Sequence, residues 1–294
     1  MKAPTLLFFA VGAGAAGATT VALQDPAQVE IKIQAVGGSV HALEGSGGNI
    51  GLCIGADGVL MVDSQFAPLS AKIRAAVAER FDGADDYRYL LNTHWHGDHT
   101  GGNANFAEAT IVAHENVRTR MQRGAPDRNQ PGASAAAMPA ITYQDGVVVH
   151  FNGETIQLVH VPSGHTDGDT IVMFLDSKVV HMGDLFFSGR FPFVDLASGG
   201  SVRGLTEAIE ETLHSLPEGV RIIPGHGPVS GIEELRTYYE MLTETTAHVR
   251  AAIKAGKSLE QIQKAGLPAR WDSWSWQFID AKRWIATIHE EFAG

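Results

Sequence analysis

Apolar and polar positions alternate in short runs over residues 29–63, broken by glycine turns. This pattern predicts strands at 29–36, 39–43, 50–54 and 59–63, joined as hairpins. The period then changes. Leu69, Ile73, Val77 and Phe81 recur every four residues, the stripe of an amphipathic helix over 68–81. A buried strand at 87–92 stops abruptly at a histidine-rich run, 93–103. A short strand at 111–113 leads into a helix from about 114 to 122. Residues 123–139 are rich in Pro, Gly and Ala and show no period, which predicts a mobile loop or an irregular excursion.

A second strand group follows at 147–151, 155–161, 170–175 and 179–182. Val202, Leu205, Ile209, Leu213 and Leu216 mark a helix, with Ser201 placed as its N-cap or, alternatively, its N-terminus turned to an anionic substrate group. A strand at 221–224 and helices at 231–255, 258–265 and 274–292 complete the chain. Trp271, Trp274, Trp276 and Trp284 cluster late and read as helix-to-sheet packing. Strands, helix, strand, helix thus occur twice in order. That is an α/β arrangement of two sheets packed face to face with helices outside. No linker interrupts it, so 23–294 reads as a single domain with a C-terminal helical extension at 231–292.

Residues 1–22 have a different character. Lys2 precedes an apolar stretch, and Ala16-Gly17-Ala18 and Thr20-Val21-Ala22 offer small-residue cleavage sites. This is the pattern of a secretory signal peptide, and the stretch is short for a bilayer span of about 20 residues. It predicts a periplasmic or secreted bacterial protein with no membrane span after removal. The single cysteine, Cys53, allows no internal disulfide and no cysteine-based zinc cluster. It reads as a small core residue. Apolar residues at 44% and charged residues at 19% exclude global disorder. A net charge of −11 with no basic tract argues against nonspecific nucleic-acid binding. The expected partner is a small-molecule substrate.

The candidate chemistry lies in the run Thr93-His94-Trp95-His96-Gly97-Asp98-His99-Thr100-Gly101-Gly102-Asn103. Three imidazoles and a carboxylate follow a strand directly, among glycines that permit tight turns. Imidazole with carboxylate suits zinc ahead of iron or manganese. Three later turns each set a His or Asp beside glycine after an apolar strand: Ser163-Gly164-His165-Thr166-Asp167-Gly168-Asp169, Met182-Gly183-Asp184 and Pro224-Gly225-His226-Gly227.

These four motifs, in this order, resemble the metallo-β-lactamase superfamily, and the likeness spans roughly residues 30–230. The resemblance implies a four-layer αββα sandwich of two mixed β-sheets. It implies two Zn²⁺ ions per chain, the first on His94, His96 and His165, the second on Asp98, His99 and His226, with Asp184 bridging. It also implies a metal-bridging hydroxide that attacks a β-lactam, lactone or thioester carbonyl, with Asp98 as the catalytic residue that orients it. The chain departs from the zinc β-lactamases of the cysteine-ligand class. Those carry a cysteine where this chain has Asp184 and a substrate-binding lysine where it has Phe187. Asp184 is more similar to the glyoxalase-II-like and lactonase branches. Arg190 is a candidate replacement anion anchor, against the alternative of a surface arginine. Phe187 and Phe191, with Phe186 and Phe193, line an apolar pocket or pack in the core. An iron-dependent persulfide dioxygenase-like enzyme and a non-catalytic periplasmic zinc-binding protein are the alternative functions.

Overall fold

The computed structural model describes residues 25–125 and 131–293, so the signal peptide expected at 1–22 lies outside the described residues. The first half builds a seven-stranded sheet: β1 (Lys32–Gly37), β2 (Val40–Glu44), β3 (Ile50–Gly55), β4 (Gly58–Val62), β5 (Tyr87–Leu91), β6 (Thr110–His114) and β7 (Ile141–Tyr143), side by side in chain order. β1 to β4 pair antiparallel through short turns. β4 to β7 pair parallel. Parallel neighbours need long crossovers. α1 (Ser70–Arg80) supplies the first, the single turn α2 (Gly97–Thr100) lies within the second, and α3 (Glu115–Arg123) within the third.

The second half builds a five-stranded sheet in the order β12-β11-β10-β9-β8. Its strands are β8 (Gly146–Phe151), β9 (Glu154–Val161), β10 (Asp169–Phe174), β11 (Val179–Phe187) and β12 (Arg221–His226). All pairs are antiparallel except β11 with β12, which are joined through α4 (Val202–Ser215). α5 (Ile232–Lys254), α6 (Leu259–Ala265) and α7 (Ala281–Phe292) follow.

Period-two alternation explains the layering. In β4, Leu60 and Val62 point inward, to a buried cluster shared with Phe151, Ile156, Leu158, Val172 and Phe174 of the other sheet. Val59 and Met61 point outward, onto Ile73 and Val77 of α1. The outer face of the second sheet packs on α4 to α7 through Leu205, Ile209, Leu242, Trp284 and Ile288. The two sheets are mixed, helices cover both outer faces, and the α/β sandwich expected from the sequence is the observed fold. Cys53 lies in the layer between the sheets.

Four boundaries differ from expectation. The 123–139 segment contains the last residue of α3 and a 3-10 turn, Ala135–Ala137. β7 follows it, unanticipated, because only Tyr143 of its three residues is buried. β11 runs to Phe187 rather than stopping at 182, its pairing with β12 broken by bulges around Gly183. The helix expected over 274–292 begins at Ala281, where the Asp280 carboxylate accepts a hydrogen bond from Arg283 N at 2.8 Å. Residues 269–274 form a 3-10 helix and 275–280 an irregular strap. Among the described residues no helix is long and apolar enough to cross a membrane.

Candidate metal centre

The seven side chains singled out in the sequence converge from both sheets. His94 and His96 follow β5, Asp98 and His99 sit on α2, His165 precedes β10, Asp184 lies within β11, and His226 ends β12. Donor atoms of His94, His96, His165 and Asp184 form one group and those of Asp98, His99 and His226 a second, the atoms of each lying within 4.8 Å of one another. Asp184 stands between them. Its Oδ2 is 3.8 Å from His94 Nε2 and 3.5 Å from His165 Nε2. Its Oδ1 is 3.1 Å from His99 Nε2 and 3.4 Å from His226 Nε2. Asp98 Oδ2 lies 3.3 Å from His226 Nε2. Gly225 and Gly48 make room, since a Cβ at either would collide with Asp184 Oδ1 or with the His99 ring.

The remaining ring nitrogens fix the tautomers. Asp63 is fully buried at the end of β4, and its Oδ2 accepts from His99 Nδ1 at 2.7 Å and from Thr93 Oγ1 at 2.7 Å. Thr93 Oγ1 has thereby spent its proton, so it accepts from His94 Nδ1 at 3.0 Å. His165 Nδ1 donates to the Phe193 carbonyl at 2.7 Å, and His96 Nε2 donates to Asp195 Oδ2 at 2.9 Å. In each of these four rings the other nitrogen therefore faces the centre, the one available to a metal. His165 Nε2 and His96 Nδ1 face each other at 2.8 Å, close enough to share a proton or a metal ion. Among the described residues, His94 Nε2, His99 Nε2 and Asp184 Oδ1 are buried with no hydrogen-bond partner. Orphaned buried polar atoms are costly. These converge with nitrogen and oxygen donors only, the set that suits zinc, iron or manganese. The residues present fit a metal.

The electrostatics divide the centre in two. Burial pushes His94 well below the usual imidazole range and His165 down to about 4. Burial also acts against charge at His226, but the Asp184 and Asp98 carboxylates outweigh it and raise that ring to about 9. His99 is raised well above its usual value in the same way, and with His226 it holds Asp98 at about 2 against the opposing effect of burial. One group repels protons while presenting lone pairs. The other attracts positive charge.

The proposed substrate-side residues separate. The Phe187 ring stacks on His226 at 5.2 Å, with 15° between planes. Arg190 is half-buried, its guanidinium 5.2 Å from the Trp276 ring centre, and Trp276 lies 5.8 Å from His226. Phe191 is corrected. It is fully buried against Trp274 and Trp284 in the helical layer, where packing rather than the cleft determines its place. Phe193 turns to the centre instead, 5.8 Å from His96 and 5.7 Å from His165. Ser201 caps α4, its Oγ accepting from Gly204 N at 3.1 Å. The Glu291 carboxylate accepts from Val202 N and Arg203 N, which leaves that helix end no role toward a substrate anion. Asp63 and Asp195 were not singled out in the sequence, Thr93 entered only as the first residue of the histidine-rich run, and Trp276 was read as helix-to-sheet packing. An Asp after a strand or in a loop is common in any α/β chain and carries no signal of its own.

Residues 43–226 match the family model described as the metallo-β-lactamase superfamily. The lactamase-like protein aptB of Emericella nidulans is 25% identical over 244 residues, covering 78% of this chain and 71% of that protein. A hydroxyacylglutathione hydrolase of Hyphomonas neptunium is 29% identical over 145 residues, and the match covers 47% of each chain, about half of that relative's length. Among solved structures, a metallo-β-lactamase from Pontibacter korlensis superposes with a TM-score of 0.60 at 15% identity, covering 73% of this chain and 99% of that one.

Proposed function

Because the chain belongs to the metallo-β-lactamase superfamily, we propose that it is a dinuclear zinc-dependent hydrolase of a carbonyl substrate: a β-lactam, lactone or thioester. The observation that carries this reading is Asp184, whose two oxygens face the two donor groups separately. Seven donors in two groups favour two metals over the single-metal use of an iron dioxygenase. A pair of zinc ions supplies Lewis acidity toward a carbonyl oxygen and lowers the pKa of water to about 7.

The chain's own residues do the rest. Asp98 has the most exposed side chain of the seven, at 27%, and its low pKa keeps it ionised, so it accepts a hydrogen bond from the attacking water and orients it. Asp63 and Asp195 hold His99 and His96 in the ligating tautomer. Phe187, Phe193 and Trp276 give the site an apolar wall, and Arg190 offers a cation to a substrate carboxylate. The signal-like segment 1–22 supports export. Protein recovered from its host should then begin between Thr19 and Gln28, and an intact Met1 on soluble cytoplasmic protein would refute it.

The test is a hydrolysis panel of β-lactams, lactones and thioesters on zinc-loaded protein. The hydroxyacylglutathione hydrolase relative supports including the thioester arm. Turnover of at least one class supports the proposal. Two bound zinc ions with no turnover of any class would favour the non-catalytic reading. Iron retention with oxygen consumption on a persulfide would favour the dioxygenase.

A further inference from the structure

The strap between α6 and α7 lies outside the family match, yet it forms one wall of the centre. It and the 3-10 helix before it are pinned to the loop after β11 by two hydrogen bonds with the Phe191 backbone. Phe191 N donates to the Trp274 carbonyl at 3.0 Å, and Trp276 Nε1 donates to the Phe191 carbonyl at 2.9 Å. Trp276 and Phe278 meet at 5.7 Å. Trp276 reaches the His226 side of the centre, while Phe278 packs at 5.4 Å on Phe193, which faces His96 and His165. Trp276, Phe278 and Phe193 are each only partly buried. The wall therefore spans both donor groups and keeps accessible ring surface.

Arg283 closes the far end of this wall. Its guanidinium is 4.4 Å from the Phe278 ring centre, and Nη1 donates to the Phe278 carbonyl at 3.0 Å. The side chain is half-buried. Unlike Arg74, Arg120 and Arg270, which pair with acids, Arg283 forms no ion pair among the described residues. Arg283 thus presents a guanidinium with no ion pair among the described residues beside accessible aromatic rings at one end of the wall. A planar guanidinium with donors to spare fits a carboxylate.

Resting on the hydrolase reading above, we infer that the strap and Arg283 form the acyl-group subsite: a ring-sized apolar acyl group lies along Trp276, Phe278 and Phe193, and a carboxylate at its outer end pairs with Arg283. The substrate class is a carbonyl compound whose acyl part is both ring-like and anionic.

The experiment uses two matched pairs. A terephthalate monothioester and the thioester of 4-methylbenzoate differ only in the outer carboxylate. 4-Acetylbenzoate and 4-methylacetophenone are their non-hydrolysable counterparts. KM should be lower for the carboxylate thioester. Arg283→Gln should raise that KM roughly 10–100-fold, the scale of one lost charge-assisted contact. KM for the neutral thioester should stay put, and Arg283→Lys should recover part of the loss. In metal-free protein, 4-acetylbenzoate should shift the Trp276 indole N–H resonance more strongly than 4-methylacetophenone, and Arg283→Gln should erase that difference. Equal KM for both thioesters in the wild type would overturn the subsite. So would an equal loss for both in Arg283→Gln, because that would mean the arginine only braces the strap. Selective binding of 4-acetylbenzoate without turnover of either thioester would remove the thioester arm of the hydrolase reading and leave the subsite standing. Turnover without discrimination would do the reverse.

Discussion

Replacing Asp63 with asparagine tests whether the buried carboxylate sets the metal-binding form of His99. Asp63 Oδ2 accepts from His99 Nδ1 and Thr93 Oγ1, and Oδ1 accepts from Thr93 N at 2.8 Å. Asparagine is nearly isosteric and tolerates the left-handed backbone at this position, φ 64°. Strain therefore does not confound the result. Three donors face the carboxylate, but an amide has one oxygen. With that oxygen toward Thr93 N, the NH₂ group meets the His99 Nδ1 proton. The ring escapes by moving its proton to Nε2, which then points at Asp184 Oδ1, 3.1 Å away. A protonated Nε2 cannot ligate. The lost charge-assisted bond is worth about 1.5–3 kcal/mol, or roughly 10–150-fold in affinity. That overlaps the 10–100-fold scale of outer-shell changes to metal sites. Zinc affinity is measured by chelator competition, and the His99 tautomer by ¹⁵N NMR of the ring. Only the zinc held by Asp98, His99 and His226 should be affected strongly. Unchanged affinity, or a His99 ring still protonated at Nδ1, would refute the argument.

Asp184→Ala removes a donor from both groups, so zinc should fall from two per chain toward one or below, with activity down at least 10–100-fold. Elemental analysis beside circular dichroism checks this, and two zinc ions with undiminished hydrolysis would exclude the bridge. The folded pKa of His226, about 9, lies above its usual 6.5. In metal-free protein its contribution to stability is therefore complete below about pH 6.5 and lost as pH rises through about 9. A metal must displace that proton, so the affinity of the Asp98, His99 and His226 group should rise with pH, about tenfold per unit per proton released. Cobalt titrations from pH 6 to 8 read the slope, and a flat profile would contradict it. Arg190→Ala should raise KM for an anionic substrate more than it lowers kcat, the mark of lost ground-state binding. Unchanged KM would remove Arg190 from the site.

Most of the layering was legible because alternation and four-residue spacing are local. β7 was not, since Ile141 and Thr142 are exposed and leave nothing to alternate. The extension of β11 through Asp184 depends on bulged pairing with β12, a contact made about 40 residues away, and Gly183 looked like a terminator. The seven donors stood out because histidine and aspartate after strands, next to glycine, are a rare local combination. Their supports did not. Asp195 sits 99 residues from His96, and Asp63 sits 36 from His99. Which phenylalanine faces the cleft was equally illegible. Phe191 and Phe193 belong to one irregular loop, and the strap decides between them by binding the backbone of Phe191 and packing Phe278 on Phe193.

The donors are divided between the sheets: His94, His96, Asp98 and His99 leave the seven-stranded sheet, and His165, Asp184 and His226 leave the five-stranded one. A bound cation in either group is therefore a cross-link between the two halves. Its contribution to their union grows by mass action, about 2.7 kcal/mol at a hundredfold excess of free metal over Kd and about 4.1 at a thousandfold. Each sheet's hairpins are closed by nearby residues and need no such help. Metal starvation then weakens the seam rather than the sheets, and leaves the two halves joined by the apolar layer buried between them.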